Sequence, residues 1–216
     1  MGSPLAPLYR VNPIAMNHLA HAFLAGEAPA AVVGNLSGDF VRGPVDHRFE
    51  PGIAAGIRLH RHIDTFTDSH ALTRRSRKRF LGGQRRVAGI VIDVYYDHLL
   101  FQHWDQYSDE SFSSFCRRVY QTLTIHQSTA PDDFRNYIPW FVQRDLLASC
   151  ATLDGVDRVI ARLAERWQRK PELGRLLCRA GSDARDMIDD LQDDFLGFFP
   201  QLVRSVETFN AQSCER

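Results

Sequence analysis

The sequence predicts an all-α domain, and three observations carry that reading. Prolines and glycines divide the chain into segments of helical length, apolar residues return every three or four positions within them, and no stretch alternates as a half-buried strand would. Taken in order, the candidate helices cover 17–26, 29–42, 51–68, 70–81, 85–104, 110–127, 131–150, 154–168, 171–179 and 183–209. Pro51, Pro131 and Pro171 open three of them at the first turn, where the missing N–H costs nothing. Asp109 and Asp154 are candidate caps for the segments that follow them, and Gly43, Gly82 and Gly83 mark breaks. In 110–127, Phe112, Phe115, Val119 and Leu123 form a core stripe at helical spacing.

The 216 residues are enough for one large domain with a real core, and an apolar content of 44% with 24% charged residues excludes a disordered or fibrous chain. Twenty-six basic and 26 acidic side chains cancel, so electrostatic recognition must come from local patches. Cys116, Cys150, Cys178 and Cys214 lack CxxC spacing, which argues against a cysteine zinc site or a disulfide framework and for reduced thiols in a cytoplasmic protein. No apolar run approaches the ~18 residues of a membrane span. Residues 1–15, with Pro4, Pro7 and Pro13, read as a loose extension without signal-peptide character; the domain is expected over 16–210 and a short tail over 211–216.

Chemistry emerges when polar residues are placed on these helices. Counting about 100° per residue from Ile53, Ile57 lies near 40°, His60 near 340° and Asp64 near 20°. His60 and Asp64 therefore continue an apolar stripe, and Asp68 extends it by a turn. On 85–104, Asp93 and Asp97 lie about 40° apart among Ile90, Leu100, Phe101 and Trp104, with His98 just beside that face. A carboxylate buried there costs several kcal/mol unless it is paired or meets a cation, and two ionised neighbours repel. Upstream, His18 and His21 form an i, i+3 pair, and Asp39 sits in a glycine-bearing segment that permits close backbone approach. Histidine and carboxylate donors without cysteine suit manganese, iron or zinc in a catalytic site. The plain alternative for each residue is a cap, a salt bridge or a solvated face. The tail acids Asp183, Asp186, Asp189, Asp190, Asp193 and Asp194 read as a solvated face.

Four ordered motifs then carry a resemblance: Asn17-His-Leu-Ala-His21, Gly34-Asn-Leu-Ser-Gly-Asp-Phe-Val-Arg-Gly43, Gly56-Ile-Arg-Leu-His-Arg-His-Ile-Asp-Thr-Phe-Thr-Asp68 and Asp93-Val-Tyr-Tyr-Asp-His-Leu-Leu99. From Met16 to about Phe199 the chain resembles the acyl carrier protein phosphodiesterases, relatives of the metal-dependent HD phosphohydrolases. The adjacent His-Asp pair of the HD pattern is absent: His60 is followed by Arg61, and the carboxylate comes at Asp64. The resemblance implies a single HD-like helical domain that hydrolyses the phosphodiester joining a carrier serine to 4′-phosphopantetheine, supported by Mn²⁺ or Mg²⁺. It implies His21, Asp39, His60, Asp64 and Asp97 as the metal ligands, with Asp68 and Asp93 behind them. His18 falls where the family carries other residues, so His21 is the ligand of that pair. Arg42 and Arg61 are expected to meet the phosphate oxygens, and His98 to protonate the departing serine oxygen.

Arg74, Arg75, Arg77, Lys78, Arg79, Arg85 and Arg86 crowd thirteen positions after the His/Asp helix. With the resemblance, this stripe is expected to dock the acidic acyl carrier protein, with neither nucleic acid nor membrane as partner. Two other readings remain at this point: an HD-type phosphohydrolase acting on a nucleotide, and a non-enzymatic helical module that binds nucleic acid through the same stripe.

Overall fold

A computed structural model describes residues 18–214, apart from the Cys214 side chain; the expected extension over 1–15, and residues 215–216 of the expected tail, lie outside them. Among the described residues there are ten α-helices and no strand, as the sequence predicts. They are α1 (His18–Leu24), α2 (Pro29–Leu36), α3 (Pro51–Ser69), α4 (Ala71–Lys78), α5 (Ala88–Gln102), α6 (Phe112–Ile125), α7 (Asp132–Gln143), α8 (Leu153–Glu165), α9 (Pro171–Asp186) and α10 (Ile188–Cys214). No helix is long and apolar enough to cross a membrane.

The core gathers around α5, which touches α1, α4, α8, α9 and α10. Val91, Ile92, Val94, Tyr95 and Leu100 of α5 are fully buried, each apolar side chain contributing roughly 2 kcal/mol. Along α10, Leu191, Phe195, Phe198, Leu202 and Val206 recur at helical spacing and pack the long helix against α3, α4 and α5. In α6 the expected stripe of Phe115, Val119 and Leu123 is buried, with Phe112 packed against it.

The structure corrects several boundaries. The segment 29–42 is not one helix: α2 stops at Leu36, and Asp39 rides on a separate 3-10 turn, Gly38–Phe40. Helix α7 ends at Gln143 rather than near 150, where Asp145 adopts a left-handed φ of 49° that an α-helix cannot continue. Helix α9 runs on to Asp186, and the stretch Gly82–Arg86 forms a 3-10 turn ahead of α5. The caps also shift. Ser111, not Asp109, accepts the Ser114 N–H at the start of α6, and Thr152, not Asp154, accepts the Gly155 N–H at the start of α8.

The acidic tail is not uniformly solvated. Asp194 is fully buried and takes the side chains of Arg75, Ser76 (2.7 Å) and Arg79 (2.6 Å), which ties α10 to α4. Asp183 accepts from Gln84 Nε2 at 2.6 Å. Asp189, Asp190 and Asp193 are exposed or half-exposed.

Candidate functional site

Helices α2 and α3 cross where both present glycine. A Cβ on Gly34 would stand 2.3 Å from the Ile53 carbonyl oxygen, and one on Gly56 would stand 2.6 Å from that of Ala31, so only glycine allows the approach. The crossing delivers Asn35 and the turn carrying Asp39 to the buried face of α3. There Gly38 lies flush against His60: a Cβ on it would fall 2.1 Å from His60 Cγ. The stripe on α3 follows its sequence period, with Ile53, Ile57, His60 and Ile63 buried and Asp64 half-buried at its end.

Three side chains converge. His21 Nε2 lies 3.2 Å from Asp64 Oδ1, and His60 Nε2 lies 3.1 Å from Asp64 Oδ2. The two imidazoles stack with centroids 4.1 Å apart. One donor atom from each of His21, His60 and Asp64 fits within 4.8 Å of the others, spacing suited to a shared cation. Asp39 Oδ2 adds a second carboxylate 3.6 Å from His60 Nε2.

The hydrogen bonds fit such a cation. Nδ1 of His21 donates to Asn35 Oδ1 at 2.8 Å, which fixes the ring orientation. The buried Nε2 has no hydrogen-bond partner despite its nearness to Asp64. An imidazole nitrogen held 3.2 Å from a carboxylate with no hydrogen bond between them is a geometry that a divalent ion satisfies. Burial lowers the pKa of His60, but Asp39 and Asp64 outweigh it and raise the imidazole to about 9. Burial raises the Asp64 carboxyl, yet His21 and His60 hold it well below the usual carboxylate range. The pair is thus drawn toward opposite charges, and a metal would take the place of the proton.

The other candidates separate. Asp97 stands outside this group: its two oxygens accept the Leu19 and Ala20 backbone N–H groups at 3.0 Å each, so it clamps the first turn of α1. Burial pushes its carboxyl up to about 8 against those two bonds, with Asp93 adding to the rise. Asp93 is raised by burial, opposed by Arg77, and reaches about 7 with Asp64, Asp68 and Asp39 adding to it. Asp68 is exposed and pairs with Arg77 at 2.5 Å. His98 is not brought to the group. Its Nδ1 donates to the Cys150 carbonyl at 2.7 Å, and it faces a different cavity with Gln102, Thr152, Asp154 and Gln192. Arg61 donates to the Val41 and Gly43 carbonyls (3.1 and 2.8 Å), bracing the loop that carries Arg42. Arg42 itself is exposed and, among the described residues, forms no ion pair. His18 is buried beside Phe141, and burial lowers its pKa to about 4.

The basic stripe divides. Arg75 and Arg79 are spent on Asp194, Arg77 on Asp68, and Arg85 on the Phe80 carbonyl. Arg74, Lys78 and Arg86 are exposed, and among the described residues their side chains form no ion pair or hydrogen bond. Asn35 is the residue that sequence reasoning passed over; the available signal was a polar side chain on the apolar face of a short helix.

Fold and site together define a helical domain with a buried His/Asp group suited to a divalent cation. Residues 16–202 match the family described as acyl carrier protein phosphodiesterase, and the chain belongs to that family. A protein of that name from Serratia proteamaculans is 34% identical over 195 residues, covering 89% of this chain and 98% of the relative. Its namesake from Yersinia pestis is 33% identical with the same coverage. Another, from Escherichia coli O6:H1, is 34% identical over 192 residues, 87% of this chain and 96% of the relative. No solved structure matches the chain.

Proposed function

We propose that the chain is a metal-dependent hydrolase acting on holo-acyl carrier protein. Water adds to phosphorus, the bond from phosphorus to the carrier serine oxygen breaks, that oxygen takes a proton, and apo-carrier and 4′-phosphopantetheine depart. The observation that carries the reading is the group of buried His21 and His60 with half-buried Asp64, donor atoms within 4.8 Å of one another, in a member of this family.

His21, His60, Asp64 and Asp39 hold the ion, Mn²⁺ by preference because imidazole joins the carboxylates, with Mg²⁺ as the alternative. When bound, the ion supplies positive charge to a phosphate oxygen and acidifies a water. Asn35 sets the His21 tautomer. Asp97, rather than binding the ion, fixes the helix from which His21 projects. Arg42 is free to meet a non-bridging phosphate oxygen, and Arg61 positions its loop instead of contacting substrate. Asp93 and Asp68 stand around Arg77 behind the group. The acidic carrier docks through Arg74, Lys78 and Arg86, the cations of the stripe that the fold leaves unpaired. Such a substrate, with the unpaired thiols Cys116, Cys150 and Cys178, fits work in the cytoplasm.

The test is direct. Incubated with Mn²⁺ and holo-carrier, the protein should lower the carrier mass by one phosphopantetheine, and exhaustive chelation should stop it. A carrier of unchanged mass with the metal-loaded protein would sink the reading.

A further inference from the structure

Two large apolar side chains stand in solvent among the described residues, Leu81 at 70% and Ile125 at 73% exposure. A lone exposed leucine is ordinary, but Leu81 is held out by a turn tied at three points. Phe80 before it is fully buried, and the Phe80 carbonyl accepts from Arg85 Nε at 3.2 Å. The Leu81 carbonyl accepts the Gln84 N–H at 3.2 Å, and Gln84 Nε2 reaches Asp183 at 2.6 Å. Gly82 closes the turn at a φ of 53°, a conformation that suits glycine. The leucine is therefore a fixed knob. Cations surround it in the chain: Lys78 comes three residues before and Arg86 five after, both exposed, and no Asp or Glu occurs between Asp68 and Asp93. Ile125, by contrast, lies in a stretch, 121–129, without Lys, Arg, Asp or Glu. The knob also adjoins the metal-facing group. Arg77 pairs with Asp68, one turn past Asp64 on α3, and a Cβ on Gly89 would stand 3.6 Å from the Arg77 guanidinium carbon. The segment 77–89 thus closes against the end of α3 that carries Asp64.

We propose that Leu81 is the apolar anchor of the docking surface, seated against a nonpolar side chain of the acidic carrier while Lys78 and Arg86 meet its carboxylates. The proposal rests on the carrier hydrolase reading and adds the contact that charge does not supply. Cations steer the encounter, whereas a desolvated apolar contact slows dissociation. The position suits the substrate, because the bond to be cut lies at the carrier's own serine. The body of the carrier must therefore come up against the metal-facing group, and a dock beside Asp64 allows it. Nucleic acid would use the cations through its phosphates and gain little from the leucine. A protein face that is acidic and partly apolar uses both, with no ordering cost for a knob already fixed.

The test measures binding of holo-carrier to chelator-treated protein by calorimetry, and the KM for holo-carrier with Mn²⁺, each at low and at high salt. Leu81→Ala should weaken binding and raise KM by about tenfold, the effect of one leucine left unburied. The loss should be the same at both salt concentrations, because an apolar contact is not screened, and kcat should change little. Leu81→Met, which keeps the bulk, should recover most of the affinity. Ile125→Ala should bind and turn over as the wild type does. Melting of Leu81→Ala should match the wild type, since the side chain stands in water. Unaltered affinity in Leu81→Ala, a loss that vanishes at high salt, or an equal loss in Ile125→Ala overturns the proposal while leaving hydrolysis of holo-carrier standing. A DNA oligonucleotide bound more tightly than the carrier would assign the surface to nucleic acid and overturn it as well. A carrier that binds through Leu81 but never loses mass fails the functional reading instead, and the calorimetric result stands apart from that failure.

Discussion

His21 donates its Nδ1 proton to Asn35 Oδ1 at 2.8 Å, and this bond turns the opposite nitrogen toward Asp64. Asn35 is fully buried, and its amide nitrogen has no partner. Only its oxygen is used, as expected of a residue kept for orienting another. Outer partners of metal-binding histidines typically tune affinity by about 10- to 100-fold. Asn35→Leu should therefore weaken Mn²⁺ binding by roughly that factor in calorimetry, with helical content unchanged, and Asn35→Asp should restore part of it by keeping the acceptor. Equal affinity in wild type and Asn35→Leu would remove Asn35 from the site.

Asp64 meets both imidazoles, whereas Asp39 meets one from a separate turn. Asp64→Ala and Asp39→Ala should each cut turnover of holo-carrier by at least about a hundredfold while leaving the far-ultraviolet spectrum intact. Asp64 is the more severe of the two, because its loss also leaves His21 without a facing carboxylate. Full activity in either variant, or in a chelated sample, would refute the proposed ligand set.

Gly38 offers a geometric test of the same centre. A methyl at this position would lie 2.1 Å from His60 Cγ and 2.7 Å from its Cβ, so the ring or the turn must move. Gly38→Ala should lower Mn²⁺ affinity and turnover together, by about tenfold or more, since an ångström of misplacement at a metal centre is costly. Gly26→Ala has no neighbour within 4 Å and strains only its own φ of 72°. It should leave metal affinity as it was. Like losses in both variants would point to general destabilisation instead.

What was legible in the sequence follows from what is local. The ten helices could be read because periodicity and proline placement are properties of neighbouring residues, and the His60–Asp64 pair could be read because one turn of α3 brings it together. The convergence of His21 and Asp39 on that pair depends on the Gly34–Gly56 crossing, which no single-helix pattern contains. The same limit explains Asp97: its helical angle marks a buried carboxylate correctly, but the partners that resolve the burial are two amides 77 and 78 residues away. Asp194 looked like one more surface acid because its arginines come from the other end of the chain.

Burial of Asp194 makes it a stability residue. With Arg75, Arg79 and Ser76 as its partners, removal strands two paired guanidinium groups and takes one partner from a hydroxyl between α4 and α10. Breaking buried pairs typically costs about 3–5 kcal/mol, and the part-exposed arginines bring this case to the lower end, about 3 kcal/mol. For a chain of this size Asp194→Ala should lower Tm by roughly 6–12 °C. Asp190→Ala, whose carboxylate is exposed and 3.5 Å from Arg79, should change stability by no more than about 0.5 kcal/mol. Equal melting curves for the two variants would contradict the assigned roles.

The split of the basic stripe gives the sharpest test of carrier docking. Charge alone does not distinguish Arg75 or Arg79 from Arg74, Lys78 or Arg86, but the fold does: the first two are bound to Asp194, and the last three face solvent unpaired. A cation already neutralised by a buried acid adds little to the field felt by an approaching acidic protein, whereas an unpaired one contributes fully at low salt. Reversing Arg74, Lys78 and Arg86 to Glu should therefore raise the KM for holo-carrier by about tenfold at low ionic strength and flatten its salt dependence. Melting should move by less than about 0.5 kcal/mol, and kcat should change little. Reversing Arg75 and Arg79 should instead lower thermal stability, because two acids would then face the buried Asp194. A triple variant with unaltered KM at low salt would place docking elsewhere on the molecule. A double variant as stable as the wild type would mean that Asp194 does not need its arginines.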